Sequence, residues 1–117
     1  MRVVKYEYDA LCAMDKLDLG IKGEKLSRRI EISIPSWRAE YESPTVSVIA
    51  QDPAGEAYKV ETEWTGGTLS WTISERDMKH AGGGMMQITM TDANGAVEKS
   101  PRIPTYVMPS LDYEAAT

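Results

Sequence analysis

The feature that most constrains the fold of this chain is an apolar alternation with a period of two. Residues 30–34 read Ile-Glu-Ile-Ser-Ile, residues 69–73 read Leu-Ser-Trp-Thr-Ile, and residues 86–90 read Met-Gln-Ile-Thr-Met. Residues 46–50 and 58–64 follow a similar pattern. Successive side chains of a strand point to opposite faces of its sheet, whereas a helix repeats every 3.6 residues. The pattern therefore predicts a series of short strands, each with one buried face.

Three turn signals connect these strands. Asp52-Pro53-Ala54-Gly55 and Asp92-Ala93-Asn94-Gly95 begin with an acceptor side chain and end with glycine, and residues 65–68 read Thr-Gly-Gly-Thr. Such sequences favour tight turns, because glycine adopts positive φ and aspartate accepts hydrogen bonds from nearby backbone N–H groups. Tight turns join antiparallel neighbours. This excludes a doubly wound parallel sheet.

Two segments interrupt the simple pattern. Ser74 to Ala81 begins with a helix-capping serine, carries Asp77 three residues later and is followed by Gly82-Gly83-Gly84. This predicts one short helix near residues 74–81, placed where the chain crosses between sheets, and a glycine stop.

The last run contains Pro101 and Pro104, which cannot donate a backbone hydrogen bond to a neighbouring strand, so its strand is predicted at an edge or with a bulge.

These signals together predict an all-β fold, an immunoglobulin-like antiparallel β-sandwich of about seven strands. A small barrel is the alternative. Trp71, on an inward register, is the expected core anchor. We expect residues 1–20 to be an N-terminal arm or an extra strand, residues 21–108 to be the sandwich domain, and residues 109–117 to be a C-terminal tail.

Composition narrows the classes of function. The 117 residues carry a formal net charge of −5 and no basic block, which disfavours binding to nucleic acid or to an anionic membrane. No apolar run is long enough to span a bilayer. The N-terminus carries acidic residues where a signal peptide needs its apolar stretch, so synthesis in a cytoplasm without a signal peptide is expected. One cysteine, Cys12, excludes an internal disulfide.

No residue set predicts catalysis, and we expect no enzyme, no cofactor and no metal site. His80 is the single histidine and has no nucleophile motif around it. Gly82-Gly83-Gly84 is followed by two methionines, not by the lysine that a phosphate loop needs. Glu61 and Glu63 are interpreted as one charged face of a strand. Cys12 is interpreted as an unreactive buried thiol.

Apolar and aromatic residues outside the expected core are candidates for protein contacts. Trp37 and Tyr41 lie in a polar loop. The sequence is equally compatible with side chains that pack over the end of the sandwich and with side chains that form an interface. A cluster of Met78, Met85 and their neighbours is assigned to core filling in preference to a binding surface. The predicted interface residues come from the arm, the loop and the tail: Tyr6, Tyr8, Leu11, Met14, Trp37, Tyr41, Leu111 and Tyr113.

The order of features resembles small structural domains from phages and prophages of Gram-positive bacteria, in particular the N-terminal domain of the baseplate upper protein. The resemblance begins in residues 23–32, Gly-Glu-Lys-Leu-Ser-Arg-Arg-Ile-Glu-Ile, and continues with Pro-Thr-Val at 44–46. Leu-Ser-Trp-Thr-Ile at 69–73, Lys-Ser at 99–100 and Pro-Ser-Leu-Asp at 109–112 follow in the same order. It covers about residues 21 to 112.

The resemblance implies a non-enzymatic virion component that assembles in several copies through protein contacts, with itself and with other virion proteins. This chain stops where the baseplate protein continues into a linker and a receptor-binding region. We therefore expect one of four roles: a baseplate component, a component of another part of the tail, a free-standing adaptor or a capsid decoration protein. The alternative from another class is a carbohydrate-binding module that uses Trp37, Tyr41 and Trp64 to bind a glycan.

Overall fold

The computed structural model describes residues 1–34 and 44–111. These residues form ten β-strands and one short α-helix. In chain order the elements are β1 (Arg2–Glu7), α1 (Tyr8–Cys12), β2 (Leu17–Ile21), β3 (Arg28–Ser33), β4 (Thr45–Gln51), β5 (Ala57–Val60), β6 (Glu63–Thr65), β7 (Thr68–Thr72), β8 (Gly82–Thr91), β9 (Val97–Lys99) and β10 (Ile103–Met108).

The strands form two mixed sheets. The four-stranded sheet has the order β1-β3-β7-β6, and the six-stranded sheet has the order β2-β10-β8-β4-β5, with β9 pairing to β8. The pairs β1 with β3 and β2 with β10 are parallel. The strands of both parallel pairs are distant in sequence, so tertiary contacts, not turns, bring them together.

The three predicted turns close three antiparallel hairpins, β4–β5, β6–β7 and β8–β9, which confirms that part of the prediction. In the first hairpin Asp52 Oδ1 accepts hydrogen bonds from the backbone N–H groups of Ala54, at 3.0 Å, and Glu56, at 2.9 Å. Asp92 accepts in the same way in the third hairpin. Gly55 and Gly95 lie at positive φ, where other residues are strained. Each turn therefore has a local cause in the sequence.

The inner faces of the two sheets share one hydrophobic core, which confirms an all-β sandwich. Trp71 on β7 is completely buried, as predicted. A fully buried side chain of this kind contributes roughly 1.5–3 kcal/mol of transfer free energy. The core residues that line the centre of both sheets include Ile30, Ile32 and Leu69 from the smaller sheet and Val48, Met86, Ile88, Met90 and Ile103 from the larger one.

The finer description of the sandwich is not confirmed. The described residues hold ten strands where about seven were predicted. An immunoglobulin domain has two antiparallel sheets, whereas both sheets here contain a parallel pair. Strand alternation specifies which face of a strand is buried but carries no information about the direction of its neighbour.

The helix predicted near residues 74–81 is wrong, and the short helix of the structure is α1. The segment does cross from β7 in one sheet to β8 in the other, but it does so through turns. The N–H of Met78 donates to the carbonyl of Glu75 at 3.2 Å, a bond over three residues. Gly82, predicted as part of a stop, already begins β8. The side chain of Asp77 is turned into the core, where it accepts hydrogen bonds from Tyr58 and Trp71, so the segment between Ser74 and Asp77 forms a turn and not the start of a helix.

One predicted strand is divided between the sheets. Residues 58–64 alternate as a single run, yet β5 ends at Val60 in the six-stranded sheet and β6 starts at Glu63 in the four-stranded sheet. Glu61 therefore lies in the crossing and does not share a strand with Glu63, which corrects the charged face predicted for this pair. Both strands keep the alternation because both have one face on the same core.

The proline-containing run is two strands, β9 and β10. β10 lies inside the six-stranded sheet, and its register with β2 shifts between Tyr106 and Val107, as expected for a bulged strand. Pro104 pairs with Met85 on β8, but β2 pairs only from Thr105 onward. Pro104 therefore lies in a stretch of β10 that has β8 on one side and no strand on the other. On that open side its missing N–H removes no hydrogen bond between strands.

Residues 1–20, for which the sequence left an arm or an extra strand open, contribute β1, α1 and most of β2 to the two sheets. β1 pairs with β3 over six residues, from Arg2 beside Arg28 to Glu7 beside Ser33. The division of the chain into arm, domain and tail stays a prediction.

Candidate functional site

The outer faces of the two sheets differ in chemistry. On the four-stranded sheet, Lys5, Glu31 and Ser70 are aligned across β1, β3 and β7, and the next row has Glu7, Ser33 and Thr68. These residues lie on the register opposite to the buried Ile30, Ile32 and Leu69. A charged and hydroxyl-bearing face of this kind is the ordinary solvated side of a sheet that packs its other face on the core.

The outer face of the six-stranded sheet is more apolar. Pro104, Tyr106 and Met108 follow one another along the outer side of β10, between the buried Ile103, Thr105 and Val107. Their neighbours extend the patch, because Pro104 pairs with Met85 and Met108 pairs with Ile21. Ile49 on β4 lies on the same side and is 44% exposed. We call this surface the outer β10 face; it comprises Ile21, Ile49, Met85, Pro104, Tyr106 and Met108.

Cationic side chains surround the outer β10 face. Lys59 pairs with Ile49, and Arg102 lines the same shallow groove as Ile49 and Met85. The ammonium of Lys16 lies 4.6 Å from the centre of the Tyr106 ring, and Lys99 pairs with Thr89 on β8. Asp18, opposite Tyr106, is the carboxylate on this side of the described strands. The face is therefore positive in a chain whose net charge is −5.

A buried polar network holds the crossing between β7 and β8. Asp77 is 4% exposed, and its carboxylate accepts hydrogen bonds from Tyr58 Oη at 2.5 Å and Trp71 Nε1 at 3.0 Å. The backbone N–H and the hydroxyl of Ser74 also donate to it, at 2.8 and 3.0 Å. Four donors satisfy a charge that would otherwise be costly to bury. The Ser74–Asp77 pair, interpreted from sequence as a helix cap, thus fixes the crossing segment against Tyr58 and Trp71 in the core.

A second carboxylate connects to this network through Arg76. The guanidinium of Arg76 donates to Asp52 Oδ2 at 2.9 Å and stacks 4.0 Å from the ring centre of Tyr58. The hydrogen bond from the backbone N–H of Glu56 has the largest effect on the pKa of Asp52. Together with the hydrogen bond and the charge of Arg76, it holds this pKa below its usual range against the opposing effect of desolvation. Burial and the Asp77 carboxylate raise the pKa of Tyr58. Tyr58 therefore stays a neutral donor at physiological pH.

The charge of Asp52 predicts a specific acid response. A carboxyl whose folded pKa is depressed contributes stability above its unfolded pKa of about 3.9, and the contribution is lost as pH falls through the folded pKa. We expect Asp52→Asn, which keeps an amide oxygen for the turn but loses the charge facing Arg76, to flatten the decline of stability below about pH 4. Urea unfolding of both proteins from pH 7 to pH 2.5 checks this. Parallel declines in the two proteins would contradict it.

The structure separates the predicted interface residues. Tyr6, Tyr8 and Met14 are half-buried and pack against the core, while Leu111 is fully exposed after β10. Leu11 is a correction, because its side chain is 0% exposed and is used by the chain's own core. Apolar residues outside the alternating strands were assigned to a surface, but α1 turns Leu11 inward. The remaining predicted positions lie outside the described residues: Trp37, Tyr41 and Tyr113.

The other candidates have structural surroundings. Burial raises the pKa of Cys12, which disfavours the thiolate and agrees with an unreactive thiol. Met78, Met86 and Met90 are buried in the core, as predicted for most of the methionine cluster. Within residues 1–34 and 44–111, no group of three or more histidine, cysteine or acidic side chains could hold a metal ion. No helix in that part of the chain is long and apolar enough to cross a bilayer.

Comparisons with known proteins bear on the fold. No protein-family model matches the chain, and no curated protein sequence matches it. Among solved structures, the fold is similar to the N-terminal domain of phage TP901-1 ORF48. The TM-score is 0.54 and the identity 10%, and the match covers 92% of this chain and 97% of that domain. The resemblance drawn from the sequence is thereby confirmed as a likeness of fold to a phage domain.

Proposed function

We propose that this protein is a non-enzymatic structural component of a phage or prophage virion, associated with the tail or baseplate. The observation that carries the proposal is the likeness of fold to the ORF48 domain, which extends over nearly the full length of both chains. A likeness over 97% of a single domain aligns the whole of that domain and not one recurrent hairpin motif. Fold alone does not imply function, so the proposal needs a direct test in particles.

The local chemistry supports a structural role. The most elaborate side-chain arrangement, around Asp77, has its polar atoms turned toward Tyr58, Trp71 and Ser74 and lies 4% exposed. Its groups are used to join the two sheets, and they present little surface to a substrate. A component of a large assembly needs a rigid domain with surfaces for protein partners, which this sandwich offers on its outer β10 face.

We propose that assembly uses protein contacts with further copies of the chain and with other virion proteins. Tyr6, Tyr8, Met14 and Leu111 keep accessible surface at the N-terminal elements and after β10. The loop residues Trp37 and Tyr41 and the tail residue Tyr113 are retained as proposed contacts from their sequence positions. Of the aromatics assigned to a glycan site, Trp64 packs against the core, so the glycan alternative stays a prediction without support from the described residues.

The virion location predicts a constant number of copies per particle. Particles induced from the source strain would be purified through a density gradient, and the protein quantified against the major tail and capsid proteins by mass spectrometry. We expect co-sedimentation with intact particles, enrichment in isolated tails and a fixed ratio to a tail protein. An abundant host cytoplasmic protein serves as the control for contamination. A protein that is expressed during induction but absent from the particle fraction would overturn the proposal.

A further inference from the structure

The outer β10 face needs an explanation, because it combines exposed apolar side chains with an excess of positive charge. Ile21 is 42%, Ile49 44% and Met108 46% exposed, and cross-strand pairing places Ile21 beside Met108. The other sheet presents charged and hydroxyl side chains at the corresponding positions. An apolar patch with a polar rim is the usual signature of a protein contact. We propose that this face binds the C-terminal segment, residues 112–117, of a second copy of the chain.

Charge complementarity selects the occupant. The face carries Lys16, Lys59, Lys99 and Arg102 against the single carboxylate of Asp18 on its strands. Pairing the same face of two copies would bring four cations against four cations, which like-charge repulsion disfavours. Residues 112–117 read Asp-Tyr-Glu-Ala-Ala-Thr, two acids around a tyrosine and then two small apolar residues. This segment supplies carboxylates for the rim and a tyrosine for the apolar centre.

The residues that precede this segment favour a second copy over the chain's own face. Pro109 and Ser110 still line a cleft on their own domain with Lys22, Lys25 and Lys79. Leu111 is fully exposed, so its side chain has left that surface. β10 leads toward the end of the sheet, and returning along it would need a reversal directly after Leu111. Six extended residues reach about 20 Å, enough to cover the neighbouring β10 face of another copy.

This inference rests on the proposed assembly role, and it gives that role a specific contact. Tail-to-face binding is heterologous, because the donor and the acceptor surfaces differ. Such a contact leads either to a closed ring or to an open chain of copies. It also connects the predicted contacts of Leu111 and Tyr113 to an acceptor surface on the described part of the molecule.

A charge-exchange experiment on the chain of residues 1–117 tests the proposal. Self-association is measured by light scattering on a size-exclusion column and by sedimentation over a range of concentrations. We expect the wild type to self-associate and Lys59→Glu with Arg102→Glu to weaken the association at least tenfold. Combining that pair with Asp112→Lys and Glu114→Lys is expected to restore most of the affinity, since the attraction is re-formed with opposite signs. Arg2→Glu with Lys5→Glu, both on exposed positions of β1 in the other sheet, is the control of equal charge change, and it should associate like the wild type.

Each outcome bears on the proposal. A wild type that stays monomeric at every concentration would overturn it. So would association that survives the Lys59/Arg102 exchange, or an equal loss of association in the Arg2/Lys5 control. Circular dichroism of all variants verifies that the fold is kept. If the variant with all four exchanges is folded but its self-association is not restored, that result would also overturn the proposal. The virion proposal fails separately, through absence from particles, so a protein found in particles whose exchange variants associate normally would refute only this contact.

Discussion

Replacing Asp77 by alanine is expected to lower the free energy of unfolding by about 3 kcal/mol or more. The Asp77 carboxylate is the acceptor for Tyr58 Oη, for Trp71 Nε1 and for both donors of Ser74. Trp71 is completely buried, so its N–H has no access to water once the acceptor is gone. Each buried donor left unsatisfied costs about 1–3 kcal/mol. In a domain of this size the total corresponds to a fall in Tm of roughly 10 °C.

Thermal unfolding by circular dichroism, with urea unfolding for the free energy, measures the effect. Glu75→Ala is the matched control, since it removes an exposed carboxylate from the same crossing and should change stability by less than about 0.5 kcal/mol. Asp77→Asn keeps one carbonyl oxygen and should lie between the alanine variant and the wild type. If the alanine variant unfolds within a few degrees of the wild type, the network around Asp77 does not hold the two sheets together.

Two adjacent glycines are expected to respond to alanine with opposite signs. A Cβ on Gly84 would overlap the carbonyl oxygen of Gln51 on β4 and come within 3.0 Å of Thr105 Oγ1. Backbone atoms must shift to relieve this, and overpacking of this kind costs about 1–3 kcal/mol or more. At Gly83 the first neighbour of a Cβ is the Thr105 carbonyl at 4.0 Å, which is ordinary contact. There alanine should be neutral or stabilise by about 0.4–1 kcal/mol, because it restricts the unfolded chain.

Urea unfolding of Gly83→Ala and Gly84→Ala under identical conditions gives the comparison directly. Neither glycine has the positive φ that Gly82 has, so alanine is compatible with the backbone at both positions. The difference in stability between the two variants therefore measures only the space available for a Cβ. Equal destabilisation of the two variants would mean that β4 and β8 can move apart at Gln51, and that the close approach is not a constraint on the fold.

The candidate site shows where sequence reasoning reaches its limit. The pairing of Ser74 with Asp77 is visible in the sequence, and the contact exists, but the sequence indicates a helix cap because that is its most frequent local use. Tyr58 and Trp71 complete the site from other strands, and no local signal connects them to Asp77. The exposure of the apolar residues Pro104, Tyr106 and Met108 could not be predicted either, since alternation does not tell an exposed apolar face from a buried one.

The sequence by itself determined the strands around Ile32, Val48, Trp71 and Ile88, the buried faces of these strands and the positions of the three hairpin turns. These features depend on neighbours two to four residues apart, namely the alternation of side chains and the turn chemistry of Asp52, Gly55, Asp92 and Gly95. Tertiary structure alone decided the parallel pairing of β1 with β3 and of β2 with β10, and the split of residues 58–64 between two sheets. It also made Gly82 to Gly84 the start of β8, where they pair with β10. The carbonyl of Gln51 on β4 comes so close to Gly84 that only glycine fits there. The physical reason is that a strand satisfies its backbone hydrogen bonds equally well with many partners, and only the packing of the whole core selects among them.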